Sequence, residues 1–144
     1  MNLGTDNELV EHLFRLTREE QQFVQHQLKR HGLNVLQAQA LNFIAQHPAA
    51  IQKALSQYLG KQEATTTNLL KVLESRQLIL RRVAADNERQ KKLYLTPEGQ
   101  ELVQVVHAVF IDLETRVSTP LTDEEKQLML ALLKRITAEA TFDD

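Results

Sequence analysis

Residues 51–96 read IQKALSQYLGKQEATTTNLLKVLESRQLILRRVAADNERQKKLYLT. Ile51, Ala54, Leu55, Tyr58 and Leu59 recur at helical spacing and line the inner face of a short helix that Gly60 ends. A second helix runs from about Gln62 to Arg76. Its Thr66, Leu69, Leu70 and Leu73 fall on one face, which packs inward. At about 100° per residue, Ala64, Asn68, Lys71 and Ser75 point the other way, with Thr67 on one shoulder and Thr65 on the opposite flank. An Ala leaves room for a groove wall or a thymine methyl, an Asn can bridge an adenine edge, and Thr and Lys can hold phosphates. The same Ser/Thr/Asn-rich face suits plain water, so the neighbouring elements must decide between the two readings.

After the helix come two β-prone runs, Gln77 to Ala84 and Lys91 to Leu95, joined by the polar tip Ala85-Asp86-Asn87-Glu88-Arg89-Gln90. Thr96-Pro97-Glu98 then supplies an N-cap, a first-turn proline and an acidic first turn, so a new helix starts at about Pro97. Helix, tight turn, polar-faced helix, basic hairpin and helix in that order make a winged helix-turn-helix in a mainly α chain.

Gly60 at the turn, the run from Leu69 to Leu78, Asn87-x-Arg89 and Leu95-Thr96-x-x-Gly99 resemble the MarR family of bacterial transcriptional regulators over nearly the whole chain. The resemblance implies that the helix before the wing enters the DNA major groove and that Arg89, at the wing tip, reaches the adjacent minor groove. It makes Lys61, Gln62, Ala64, Thr65, Thr67, Asn68, Lys71, Arg76, Arg89 and Lys91 the candidate DNA-binding set. The family usually has Asp two residues before the wing-tip Arg, whereas this chain has Asn87, preceded by Asp86. Ile51 stands where the family usually has a Ser or Thr cap and Gln62 where it commonly has Ser, which weakens each helix start by about 1 kcal/mol.

The chain has 144 residues and a net charge of −2, with no cysteine. That length suits one domain, able to bury roughly 68–70% of its unfolded surface. The lack of cysteine excludes disulfides, thiolate metal sites and thiol-based peroxide sensing. Charge is unevenly spread. Between Lys61 and Leu95 stand eight basic residues (Lys61, Lys71, Arg76, Arg81, Arg82, Arg89, Lys91, Lys92) and four acidic ones (Glu63, Glu74, Asp86, Glu88), a net of +4, so the remainder carries −6. A positive module on an acidic body is the footprint of a protein that meets nucleic acid along one face. The alternative is a hairpin that carries Lys and Arg to protect its edges. Residues Met1 to Glu8 lack the basic and apolar regions of a signal peptide, and no apolar run approaches the roughly 20 residues of a membrane span, so a cytoplasmic protein with no membrane partner is expected.

Outside residues 35–96, the winged module, two flanking regions read as dimerisation helices. Residues 6–31 hold one long helix with Leu9, Val10, Leu13, Phe14, Leu16, Phe23, Val24 and Leu28, ended by Gly32. Residues 97–141 hold a helix from Pro97 to about Val117, apolar around much of its girth, and a last helix opened by a Thr122–Glu125 capping box and carrying Leu128, Met129, Leu130, Leu132, Leu133 and Ile136. This apolar surface exceeds what the small module can cover, which agrees with the interlocked homodimer the resemblance implies; a monomeric bundle is the alternative. Within the module, Val35 to Gln46 form a helix with Leu36, Leu41, Phe43 and Ile44. The five histidines are scattered, and His107 has no second His beside it, so no metal or other cofactor is expected. No phosphate loop or nucleophile–base set exists, which argues against an enzyme. The resemblance implies a promoter-occluding repressor with a pocket for a small aromatic or phenolic effector, to which Arg15, His12 and His47 are the available polar residues, each equally a surface group. The reading from a different class is a winged helix that docks an acidic protein partner instead of DNA.

Overall fold

A computed structural model describes residues 7–84 and 87–143, with the side chains of Ala84, Asn87, Glu88 and Arg89 excepted. The elements are α1 (Glu8–Lys29), α2 (Val35–Gln46), β1 (Ala50–Ile51), α3 (Gln52–Leu59), α4 (Glu63–Ser75), β2 (Ile79–Ala84), β3 (Asn87–Leu95), α5 (Pro97–Ser118) and α6 (Asp123–Glu139). They form a winged helix-turn-helix within residues 1–110, while residues 111–144 make a second compact unit.

Three helix ends of the first unit share one device. At Gly32, Gly60 and Gln77 the chain turns left-handed, with φ of 70°, 63° and 60°. Just beyond each, an N–H reaches back to the last turn: Leu33 N to Leu28 O, Lys61 N to Ser56 O and Leu78 N to Leu73 O. This arrangement satisfies carbonyls that the helix leaves free and reverses the chain in few residues. Nothing lies within 4 Å of a Cβ built on Gly60, so its conformation, not crowding, calls for glycine there. The first helix therefore ends at Lys29, two residues before His31, because the turn at Gly32 consumes the residues between.

The sheet has three strands in the order β1-β3-β2, all antiparallel. The third strand is absent from the sequence reading, which puts Ile51 on the inner face of a helix. Ala49 takes φ 70° and donates its N–H to Leu93 O, which lays Ala50 against Leu93 and Ile51 against Lys92. Two residues are too few for an alternating pattern to register. Ile51 thus ends a strand, and α3 begins at Gln52 with no side-chain cap. Gln62 likewise gives α4 no side-chain cap. Tyr58 also departs from expectation: it is 54% exposed and stacks on Phe43 at 4.8 Å.

The core of the first unit gathers Leu28, Leu41, Ile44, Leu55, Leu70, Leu73, Ile79, Leu93 and Val103, each essentially inaccessible. Where the wing meets α5, Thr96 closes the joint. Its N–H donates to Leu78 O, its hydroxyl donates to Gln77 O at 2.6 Å, and the same oxygen accepts from Gly99 N at 3.0 Å. Gly99 packs so closely on Leu78 that an added Cβ would collide with the Leu78 carbonyl oxygen. This explains physically the Thr-x-x-Gly spacing.

In the second unit, the predicted capping box forms between Thr122 and Glu125, and Lys126 pairs with Glu114 at 2.7 Å. No residue of α6 is buried. No helix among the described residues is long and apolar enough to cross a membrane.

Gly60→Ala, strained only in its backbone, is expected to cost about 1–2 kcal/mol. Gly99→Ala, which must displace backbone, is expected to lower Tm further, a ranking that thermal melts of the two variants check directly.

Candidate nucleic-acid interface

The site is built on α4. Its apolar stripe, Leu69, Leu70 and Leu73, is buried with Thr66, leaving Ala64, Thr65, Asn68, Lys71 and Ser75 exposed on the far side. Lys61 and Gln62 lie exposed in the turn before it. Thr67 is half-buried, and its hydroxyl donates to Glu63 O at 2.8 Å while accepting from Gln52 Nε2 at 2.7 Å. It faces α3.

Beside the N-terminal end of α4 the wing and α3 enclose a groove of about 450 Å³ where Lys53, Arg81 and Lys91 converge with Glu63 and Gln52. Lys53 lies outside the candidate set that the sequence indicates. Its only signal was an exposed position in the first turn of α3, which becomes meaningful once β1 carries that turn against β3. Among the described residues no ion pair within 4 Å holds Lys53, Lys61, Lys71 or Lys91.

Arg81 is different. Its Nε and Nη2 donate to the two Glu74 oxygens at 2.8 and 3.3 Å. This hydrogen-bonded pair lowers the Glu74 carboxyl below its usual range, with burial opposing and the charges of Arg81 and Lys91 assisting. The pair ties β2 to the last turn of α4. Arg76 stands at that same end, where its Nη1 donates to Gly32 O at 2.7 Å. It braces the α1–α2 turn, roughly 20 Å along the helix axis from Gln62 at 1.5 Å per residue, and does not share the groove with Lys91. The side chains of Asn87 and Arg89, and all of Asp86, lie outside the described residues. Arg82 sits over the Tyr94 ring at 5.6 Å.

A separate cavity of about 410 Å³ opens between α1, α2, α3 and the stretch of α5 from Val106 to Phe110. Leu28, Val35, Ala38, Tyr58, Val106 and Phe110 form its apolar wall, and Gln39, Asn42, Gln46 and His107 supply the polar groups. His107 Nε2 lies 2.8 Å from Asn42 Oδ1, joining α5 to α2. No carboxylate, Lys or Arg is among these lining residues, and neither are His12, Arg15 and His47.

A helix pair with a polar, outward second helix, followed by a two-stranded wing that pairs with a short strand ahead of the helices, defines a winged helix-turn-helix protein. Residues 31–90 match the model of the MarR family. The chain is 26% identical over 96 residues to a protein of Thauera aromatica whose name proposes a role as transcriptional regulatory protein for the hcr operon; the match takes in 67% of this chain and 58% of that relative. The chain therefore spans less than two thirds of that relative's length. The structure is similar to a point mutant of S. aureus MepR, with a TM-score of 0.82, 28% identity and coverage of 91% of this chain and 98% of the other. It is also similar to MepR in a complex with DNA, with a TM-score of 0.75, 28% identity and coverage of 89% and 96%. MepR bound to ethidium bromide matches with a TM-score of 0.67 at 27% identity over 91% and 96%.

Because the Glu74 carboxyl is lowered in the folded chain, the pair contributes stability above the ordinary Glu value of about 4.3 and loses it as pH falls through the lowered value. Arg81→Gln should therefore melt below the parent protein at pH 7, with the gap closing as the pH drops under about 4. A gap independent of pH would show that Arg81 acts by packing alone.

Proposed function

We propose that the chain is a homodimeric transcriptional regulator of the cytoplasm that binds double-stranded DNA and represses by occluding a promoter. The observation that carries this reading is the outward face of α4, where Ala64, Thr65, Asn68 and Lys71 stand exposed beside a groove lined by Lys53 and Lys91. Small residues let a helix sink into a major groove, Asn offers paired donor and acceptor groups to a base edge, and lysines on both sides meet phosphates. MepR, similar over most of its length, has been crystallised with DNA. Arg89 is the wing's candidate for the minor groove by resemblance to the family.

A homodimer is supported by apolar side chains that one chain leaves uncovered. They are Leu9, Val10, Leu13, Phe14 and Leu16 on α1, and Leu128, Leu132, Leu133 and Ile136 on α6. Exposed apolar surface of this extent favours association. Sedimentation at micromolar concentration should find a dimer, and a monomer would remove this part of the proposal.

The cavity beside Tyr58 and His107 supports a small aromatic or phenolic effector, and a solved structure of S. aureus MepR has ethidium bromide bound. The cavity lining, which holds no Lys or Arg, favours a neutral phenol over an aromatic acid, because a buried carboxylate without a permanent cation beside it loses its hydration uncompensated. Phenol and benzamide should bind at least about tenfold tighter than benzoate by titration calorimetry.

DNA binding itself is tested by salt. Log affinity for duplex DNA should fall linearly with log salt, and Lys71→Ala should weaken all sequences alike while reducing the slope by about one. Binding that ignores salt, or none at low salt, would favour an interaction module for an acidic protein.

A further inference from the structure

Helices α3 and α4 meet along two rungs of hydrogen-bonded side chains. Ser56 Oγ donates to Thr66 Oγ1 at 2.8 Å, and Thr66 Oγ1 in turn donates to Gln62 O at 3.3 Å. One turn earlier on α3, Gln52 Nε2 donates to Thr67 Oγ1 at 2.7 Å and reaches Glu63 O at 3.5 Å, while Thr67 Oγ1 donates to Glu63 O at 2.8 Å. The inner rung is buried and the outer one is half-buried. Each threonine hydroxyl has one hydrogen, and each is spent on a carbonyl at the start of α4.

Resting on the DNA-binding reading, we propose that Gln52 is a specificity-positioning residue that acts through Thr67 and that Thr67 itself contacts no base. Apolar packing alone tolerates small rotations of one helix on another, whereas hydrogen bonds weaken steeply with angle. A one-residue step turns a helix by about 100°, so even a fraction of that rotation would break the outer rung and carry Asn68 off its base edge. Gln62 gives the helix no side-chain cap, so the first turn of α4 is held instead from the α3 side. The lone pair that Thr67 retains can accept a hydrogen bond, but its hydroxyl has no hydrogen left to donate.

The experiment is a double-mutant cycle on the intact protein. Duplexes selected by the parent protein from a random pool supply the preferred site, and the readout is the ratio of its affinity to that of random duplex, at fixed salt. Gln52→Met and Thr67→Val keep size and remove the hydrogen bond. Each should lower the ratio about three- to tenfold, as expected for one net hydrogen bond. The double variant should be no worse than either single one, and Thr67→Ser, which retains the hydroxyl, should preserve the ratio. Thermal melts identify any variant that fails to fold, for which Gln52→Ala then stands in. If Thr67→Val relaxes preference at one base pair while Gln52→Met leaves the ratio intact, Thr67 reads a base and the proposal is overturned. Equal weakening on all sequences, or additive losses, overturns it as well. A parent protein that selects no sequence from the pool points to failure of the DNA-binding reading rather than of the strut.

Discussion

The joint between Thr96, Gly99 and the backbone of Gln77 and Leu78 is the constraint on which the wing depends. A wing is a long excursion from the end of α4 and back, and its aim is set by how its two roots are held. Thr96 draws both roots together through three hydrogen bonds, and the bare Gly99 lets α5 start in direct contact with the Leu78 carbonyl. With the roots fixed, β2 and β3 pair in one register, Ile79 with Leu95 and Arg82 with Lys92, up to a shift between Val83 and Ala84. Lys91 then falls beside Lys53 because β1 is paired to the same strand.

The outward face of α4 is set by a second constraint of a different kind. Leucines on the inner side of α4 supply most of its burial, but they do not distinguish finely between neighbouring rotations. The hydroxyl rungs to Ser56 and Gln52 do, since directional bonds have one good geometry. The Arg81–Glu74 pair and the Arg76–Gly32 bond hold the opposite end of the same helix. A helix anchored at both ends presents its outward residues as a rigid set, which recognition by side chains requires.

Much of this could be read from the sequence because periodicity reports burial. Thr66, Leu69, Leu70 and Leu73 are buried and Ala64, Asn68 and Lys71 exposed, as the 3.6-residue stripe indicates. The Thr122–Glu125 box and the Thr96 cap were legible for a similar reason, since capping is local chemistry. What escaped depends on contacts between distant residues. A two-residue strand at Ala50–Ile51 leaves no pattern of its own. Ser56 looks like a surface residue until Thr66 is placed against it, and the Asn34–Gln37 capping box passed unnoticed among polar loop residues. Arg76 looked like part of a basic face, yet the fold turns its guanidinium to the α1–α2 turn.

The most direct measurement of whether α4 reads DNA is a comparison of the duplex sequences selected from a random pool by the parent protein and by Asn68→Ala. The expected result is a parent site of two inverted half-sites about one helical turn apart, from which the variant loses preference at one base pair in each half. The cost should be about 1–3 kcal/mol on the parent site. Identical preferences for the two proteins would contradict base reading by Asn68, and no enrichment by the parent protein would contradict sequence-specific DNA binding altogether.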